Sequence, residues 1–505
     1  MDIAKMDEFA RKKGFFWPSS EIYGGFTGFY DYGFNGTLLK RKFENVWRKY
    51  FLGLSEDFYE IEPSDVMHEK VFVASGHVEG FVDPVARCSK CGTQHRADHI
   101  LEDFLHESFE GMTPDQLKKI IQEKGVRCPS CKGELKDVYV LNMMFPVDVG
   151  GSKKGYLRPE TAQGPYVNFL RHFNLLRNRL PIGLSVIGKA YRNEISPRNL
   201  TTRMREFTQA ELQIFFDPSE IESHPRWVDV KSYKLRLFPV KEKKLMEPTC
   251  EEVASMFNIP KFYLWYMAMV QRFYLDVMKV PRERFRFRQL SDEEKAFYNK
   301  LHWDVEIDLP SLGGFREVGG IHYRTDHDLA GHQKVSNQKQ DVFFNGRRFL
   351  PHVLELSFGV DRNVYALIEL NYEEEGDRTV LHFPAPIAPF EAAVFPLVNK
   401  DGLDEIARNV FESLKASGVD CVFDWSGSIG KMYYREDERG TLYCITVDYE
   451  TKKTESVTVR DRDSKKQVRV KVRDLAKILD GLLSGKMKFE DAGTEMRQKV
   501  KEREG

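Results

Sequence analysis

Strand-like runs dominate the middle of the chain. GLSVIGKAYRNE (Gly183–Glu194) and FTQAELQIFF (Phe207–Phe216) predict antiparallel strands, and similar runs resume from Asp304 through Phe349. The stretch LPHVLELSFGVDRNVYALIELNY predicts a strand that turns into a helix at Phe358 to Asp361. Helical spacing shows elsewhere. TPDQLKKIIQEKG puts Leu117, Ile120 and Ile121 on one face, and Lys261 to Met278 predicts a helix holding the longest apolar run, Phe262 to Val270. That run stops at Gln271 and Arg272, well short of the roughly 20 residues that span a bilayer, so it reads as a buried helix.

Four prolines between Pro384 and Pro396 break any helix and mark a boundary. Beyond it, AAVFPL, a helix with Leu403, Ile406, Ala407, Val410 and Leu414, VDCVFDW, a helix near SIGKMYYREDE, and LYCITVD alternate as in a small α/β domain. Two more strands, ESVTVRD and QVRVKV, precede a helix at Asp474 to Leu483. No internal repeat interrupts this order, and 505 residues at roughly 150 per domain predict about three units.

Lys and Arg number 76 against 77 Asp and Glu. No global positive field draws the protein onto nucleic acid, so RNA binding needs local basic patches, and neither DNA nor a membrane is expected as a partner. The N-terminal MDIAKMDEFARKKGFFWP lacks the apolar core of a signal peptide, which predicts a cytoplasmic protein.

Of seven cysteines, Cys250, Cys421 and Cys444 stand singly among apolar residues and read as buried thiols. The other four form two knuckles, Cys88–Cys91 (CSKC) and Cys128–Cys131 (CPSC), in a charged stretch from Arg87 to Leu141. Two residues between thiols let both sulfurs face one metal, so the four suit tetrahedral structural Zn²⁺, with no open position for catalysis. His95 and His99 stand nearby as alternative ligands.

Charge in apolar context gathers in YLRPETAQGPYVNF, in YRNEISPRNLTTRMREFTQAELQIF, and in VLELSFGVDRNVYALIEL. In the second, Arg192, Asn193 and Glu194 lead into a loop with Arg198, Arg203 and Arg205, and Glu206, Phe207 and Glu211 follow. Guanidiniums at a hairpin tip match phosphate oxygens, although an ion-paired basic hairpin reads equally well from this segment alone. Arg362, just after SFGVD at a helix start, is placed to stack on a base or reach a phosphate.

Together these segments resemble the signature set of class II aminoacyl-tRNA synthetases. RPETAQG (Arg158–Gly164), RNEISPR (Arg192–Arg198), REFTQAE (Arg205–Glu211) and SIGKMYYREDERG (Ser428–Gly440) resemble most closely the dimeric glycyl-tRNA synthetase family of archaeal and eukaryotic type, from FYDYG at Phe29 through the C-terminal domain. The resemblance implies an α+β fold: an antiparallel catalytic sheet with helices, a zinc-ribbon-like insertion and a C-terminal α/β anticodon-binding domain. Its expected divisions are a catalytic core at 1–86, 142–217 and 302–383, the zinc insertion at 87–141, a mainly helical insertion without chemistry at 218–301, and the anticodon-binding domain at 384–505.

The same resemblance implies that glycine is activated with ATP and Mg²⁺ and passed to tRNA(Gly) by a homodimer. Arg192 would meet the α-phosphate, Glu194 the adenine, Arg203 the outer phosphates, and Phe207 and Arg362 would sandwich the base; Arg192 and Arg362 are the catalytic pair. Asn193, Thr202, Met204, Arg205, Glu206, Glu317, Val318, Gly359, Val360 and Asp361 complete the implied ATP site, Glu317 as the metal-facing acid. Glycine would be met by Glu160, Glu211 and Ser357, with Glu355, Arg324 and Arg96 supporting and Phe207, Thr208, Gln209, Ala210, Leu356, Phe358 and Gly359 around them. Every competitor of glycine is larger, so exclusion suffices and no editing domain is expected.

The chain departs from the family pattern at His68 and Lys70, before VASGH, and at Leu356, where relatives carry proline. RPETAQG and REFTQAE argue against a sister ligase for threonine, proline or serine, and the retained charges argue against a binding protein with a decayed site. In the C-terminal domain, Phe423, Trp425, Arg435 and Arg439 are candidates for reading unpaired bases.

Overall fold

The computed structural model describes residues 2–496 except 106, 108, 110, 111, 293, 297 and 377. Its centre is an eight-stranded sheet. In chain order the strands are β1 (Phe58–Glu60), β2 (Ile182–Tyr191), β3 (Glu206–Phe216), β4 (Leu237–Phe238), β5 (Phe285–Gln289), β6 (Leu301–Leu309), β7 (Gly314–Thr325) and β8 (His352–Gly359). They lie side by side as β4-β5-β6-β7-β8-β3-β2-β1, antiparallel throughout except for the outermost pairs β1–β2 and β4–β5.

Side chains alternate across this sheet, and the two faces have different duties. On β3, Ala210, Leu212 and Ile214 join a core with Leu354, Leu356 and Phe358 of β8. Helix α1 (Phe34–Phe51) covers that face because Leu39, Phe43, Trp47 and Phe51 recur every four residues as one apolar stripe, all fully buried. Each such side chain contributes about 1.5–3 kcal/mol by burial. The opposite face of β3 presents Gln209, Glu211 and Gln213, and helix α2 (Gln163–Leu175) lies over its far end through Tyr166 and Phe169.

The segment 218–301 differs from the expected helical insertion. Helix α3 (Lys261–Arg272) continues as a π-helical turn through Val277, as the apolar run requires, and its buried residues belong to the main core. Yet β4 and β5 also come from this segment and extend the central sheet. In FRFRQ, Phe285 and Phe287 turn into the core against Tyr274 while Arg286 and Arg288 point outward, a period-two signal that the helical reading overlooked.

The stretch between the core strands that carries the four paired cysteines folds on its own core. Strands Val82–Cys88, Gln94–Arg96 and Leu135–Asn142 form one sheet, and helices Ala97–Leu105 and Pro114–Glu123 pack on it through Leu101, Leu117 and Ile121. Thr113 starts the second helix as a capping box with Gln116.

Strand β8 passes directly into helix α4 (Val360–Asn371), as LSFGVDRN predicts. Past the prolines, β9 (Ala392–Pro396), α5 (Leu403–Ala416), β10 (Cys421–Phe423), α6 (Ile429–Arg439), β11 (Tyr443–Val447), β12 (Ser456–Asp461), β13 (Gln467–Lys471), α7 (Leu475–Leu483) and β14 (Thr494–Glu495) form a second α/β unit. Its sheet runs β10-β9-β11-β12-β13-β14, with β9 parallel to both neighbours. Cys421 and Cys444 are buried in it, and Cys250 in the main core. Ion pairs Lys42–Asp420 (2.7 Å) and Arg378–Asp437 (3.0 Å) tie this unit to the first. Among the described residues no helix is long and apolar enough to cross a membrane.

Candidate active site

Register across the sheet builds the site from two parallel rows of side chains. In one row Gln213, Glu355, His322 and His302 stand opposite one another on β3, β8, β7 and β6. In the next row stand Glu211, Ser357, Gly320 and Asp304. Gly320 leaves the floor open, since a Cβ there would run into the ring nitrogens of His302 and His322.

The inner end of the cleft is an acidic cage around one buried cation. Arg324 donates from Nε to Asp328 (2.8 Å), from Nη1 to Glu355 (3.1 Å) and from Nη2 to Glu160 (3.3 Å), and its head lies 4.1 Å from the centre of the Tyr298 ring. Gln163 donates to Glu160 (2.8 Å) and Asp328 (3.0 Å). Glu211 accepts from Thr161 (2.6 Å) and Ser357 (2.7 Å). Burial, with Glu355 and Glu160 as like-charged neighbours, pushes the Glu211 carboxyl up to about 8. Glu160, equally buried, is nonetheless held well below the usual carboxylate range by Arg324 and His77. Asp328, Glu355 and Glu160 therefore share one arginine, and a fourth acid, Glu211, has only hydroxyl partners and is left in want of a positive charge.

The outer end is lined by arginines. The Arg192 guanidinium lies between the rings of Phe81 (5.5 Å) and Phe207 (5.3 Å) and donates to the Pro159 carbonyl (3.0 Å). Arg203 pairs with Glu194 (2.8 Å) at the hairpin tip. Arg362, on the first turn of α4, pairs with Glu317 (2.8 Å) and donates to the Thr202 carbonyl (3.0 Å). The Glu317 side chain is half exposed, so its carboxylate opens toward the mouth of the cleft. Beside it Asp304 is pushed up to about 6 by burial and by Glu317.

Most residues expected from the sequence meet here: Glu160, Arg192, Glu194, Thr202, Arg203, Met204, Phe207, Thr208, Gln209, Glu211, Glu317, Glu355, Ser357, Gly359, Asp361 and Arg362 all line the cleft. Asp361 lies at its base, accepting from the Thr208 amide and from Tyr32 (2.7 Å). Others fall elsewhere. Ala210, Leu356 and Phe358 alternate onto the α1 face, and Val318 and Val360 are buried in the same core. The proline-to-leucine departure at 356 therefore changes the core side of β8. Glu206 pairs with Lys189 away from the cleft, Arg205 binds backbone carbonyls of Thr27 and Glu194, and the Asn193 amide donates to Met143 (2.6 Å). Arg96 is not in the lining: it pairs with Asp83 (3.1 Å) and Asp98 in the cysteine-bearing unit. The sequence reading missed Tyr298, Asn299, His302, His322 and Asp304, which all line the cleft. Residues 298 and 299 belong to the segment thought to lack chemistry, and the register that brings the histidines opposite Glu355 is invisible along the chain.

With this geometry in view, similarity to known proteins is decisive. Residues 145–371 match the model of the tRNA synthetase class II core domain (G, H, P, S and T), and residues 391–482 match that of the anticodon binding domain. The glycine–tRNA ligase of Thermococcus kodakarensis is 41% identical over 562 residues, covering 95% of this chain and 98% of its own. The chain belongs to the glycine–tRNA ligase family. The glycine–tRNA ligases of Pyrococcus horikoshii (41%, covering 95% and 98%) and Methanothermobacter thermautotrophicus (38%, covering 94% and 98%) align likewise. These alignments run longer than 505 residues, so the family members carry segments that this chain lacks.

Apart from the cleft, the sulfurs of Cys88, Cys91, Cys128 and Cys131 lie within 4.8 Å of one another. Cys88–Cys131 and Cys91–Cys128 are 3.5 and 3.8 Å apart, close to the ~3.8 Å edge of a tetrahedron with metal–sulfur bonds of about 2.3 Å. The Lys90 amide points at the Cys88 sulfur (3.4 Å), and a Cβ at Gly133 would strike the sulfurs of Cys88 and Cys131. This donor set fits a soft or borderline divalent metal. His95 touches Cys128 (3.4 Å) from outside the set.

Proposed function

We propose that this chain activates glycine with ATP to glycyl-adenylate and pyrophosphate, then transfers glycine to the 3′ end of tRNA(Gly). The acidic cage at the closed end of an arginine-lined cleft carries the reading: Glu211, buried without a cation of its own, suits a small ammonium whose carboxylate would face Arg192.

In this reading the glycine ammonium is held by Glu211 and Glu160 with the Ser357 hydroxyl. Its carboxylate then faces outward toward Arg192, which holds the α-phosphate of ATP. One carboxylate oxygen attacks the α-phosphorus, the bond to the bridging oxygen breaks, and pyrophosphate leaves. Arg192 offsets the charge that builds on the α-phosphate, and Arg203 and Arg362 hold the rest of the nucleotide. Glu317 would hold a divalent metal arriving with ATP, and Mg²⁺ bound there would supply charge neutralisation to the phosphates. Every competing amino acid is larger than glycine, so exclusion by size at the closed end of the cleft is the discrimination that such a pocket needs. In the second step a terminal ribose hydroxyl of the tRNA attacks the acyl carbon and AMP leaves.

The cysteine set is read as structural Zn²⁺, holding the unit at 82–142 in shape. The C-terminal unit is read as the RNA contact. There Trp425, 53% exposed, lies beside Phe423 (5.5 Å between ring centres), and Arg408 covers Phe423 (4.7 Å). Arg435 is tied to Asp424, and Arg439 turns toward Phe34 of the first unit, which leaves the aromatic pair as the better base platform. A homodimer in the cytoplasm completes the proposal. The test is pyrophosphate exchange into ATP with each amino acid in turn, without tRNA: exchange with glycine alone is expected, and exchange driven by another amino acid refutes the assignment.

A further inference from the structure

Two histidines that the proposed chemistry does not use stand in direct contact on the floor of the cleft. His302 Nε2 lies 2.9 Å from His322 Nε2, and His322 Nδ1 is hydrogen-bonded to Glu355 Oε1. Both rings are largely buried yet line the cleft. Their order is dictated by chemistry. An ionised Glu355 only accepts, so the His322 proton sits on Nδ1; a neutral ring then accepts at Nε2, and His302 must donate from its own Nε2. That leaves His302 Nδ1 as an acceptor, and the Asn299 side-chain amide lies 3.4 Å from it. Burial and the neighbouring His302 disfavour a charge on His322, consistent with the neutral ring this chain of bonds requires. Asp304 Oδ1 lies 3.1 Å from the same His302 Nε2, so the one proton on that nitrogen is shared between His322 and Asp304, which holds the ring from the side.

The two oxygens of Glu355 are held differently. Oε2 accepts from Gln213 (2.7 Å) and Arg324 (3.1 Å), both part of the rigid cage. Oε1 is hydrogen-bonded to His322 Nδ1. Rotation of the carboxylate is thus set by the imidazole, and the imidazole by its twin.

Resting on the glycine reading above, we propose that His322, oriented by His302, is a positioning residue that fixes the Glu355 carboxylate in the amino-acid pocket and so sets the affinity for glycine. Neither histidine touches the reacting phosphorus in this assignment. Their contribution therefore falls on glycine binding and not on ATP binding or turnover.

The experiment compares wild type, His322→Ala, His322→Asn and His302→Ala, each first checked by thermal melting for an intact fold. An asparagine amide can stand where Nδ1 stands and donate to Oε1, so it should rescue. Glycine-dependent pyrophosphate exchange gives KM for glycine, KM for ATP and kcat; calorimetric titration of glycine gives Kd without turnover. Losing one hydrogen bond to a charged group predicts a rise of roughly tenfold or more in the glycine KM and Kd for His322→Ala. His302→Ala should give a smaller rise and His322→Asn most of the wild-type value, with KM for ATP and kcat moved less than about threefold in each. An unchanged glycine Kd in His322→Ala, an equal rise in KM for ATP, or no difference between the alanine and asparagine variants overturns the proposal. Wild type that binds glycine but shows no exchange refutes the ligase reading alone, and the variants' Kd values still decide the role of His322.

Discussion

If Glu211 receives the glycine ammonium, glycine affinity must follow the ionisation of a carboxyl whose pKa burial and like-charged neighbours raise. Its pKa is pushed up to about 8 by burial and by the charges of Glu355 and Glu160, while free glycine, a stronger base than a peptide N-terminus, still carries its ammonium over the window in which that carboxyl ionises. Binding an ammonium requires the carboxylate, so the sign is fixed: affinity rises with pH and levels off above the pKa. With a pKa near 8 the ionised fraction is about one half at pH 8, about one tenth at pH 7 and about one hundredth at pH 6. The glycine KM should therefore fall about tenfold per unit from pH 6 to near pH 8, about 1.4 kcal/mol per unit. Because Glu160 and Glu355 act on Glu211, the midpoint belongs to the cluster and not to one oxygen. The assay is pyrophosphate exchange at saturating ATP from pH 6 to 9, with KM for ATP followed alongside as a control. A glycine KM that stays flat between pH 6 and 8, or a slope that KM for ATP shares, refutes the argument. So does a Glu211→Gln variant with an unaltered glycine KM.

Arg324→Ala should cost roughly 3–5 kcal/mol of stability, because Glu160, Asp328 and Glu355 would be left buried without their cation, and urea unfolding reads it. Arg362→Ala should leave the melting temperature nearly unchanged yet abolish adenylate formation; near-normal exchange would remove it from the nucleotide site. Cys88→Ser should loosen the unit around the four sulfurs and lower bound zinc by elemental analysis, and unchanged metal content would end the zinc reading. Trp425→Ala should raise KM for tRNA several-fold through lost base stacking of about 1–3 kcal/mol, with exchange in the absence of tRNA unaffected.

Local chemistry was legible where it is written along the chain. The β2–β3 hairpin, the strand-to-helix passage at Phe358–Asp361 and the two cysteine knuckles follow from runs of neighbouring residues, and each forms as expected. What the chain hides is register. Whether Leu356 or Glu355 faces the cleft depends on alternation along β8, and motif matching alone put both at the substrate when only Glu355 lines it. Arg96 shows the same limit, since its attraction to Asp83 and Asp98 is a tertiary fact. The edge strand at Phe285–Gln289 was overlooked for another reason: five residues carry little periodic signal next to a long apolar helix.

One bond in the site also constrains how the molecule is made. Asp361 holds the Tyr32 hydroxyl, 329 residues earlier in the chain, and the same carboxylate takes Lys40 of α1. On the ribosome helix α1 therefore cannot complete its packing until β8 and α4 emerge, since Trp47 and Phe51 both lie against Phe358 of β8 and Lys40 pairs with Asp361 of α4. Until then part of its apolar stripe lacks the partner that covers it in the finished molecule. Catalytic competence should arrive late and abruptly during translation, and the C-terminal unit, built from neighbours close in sequence, folds afterwards without delay.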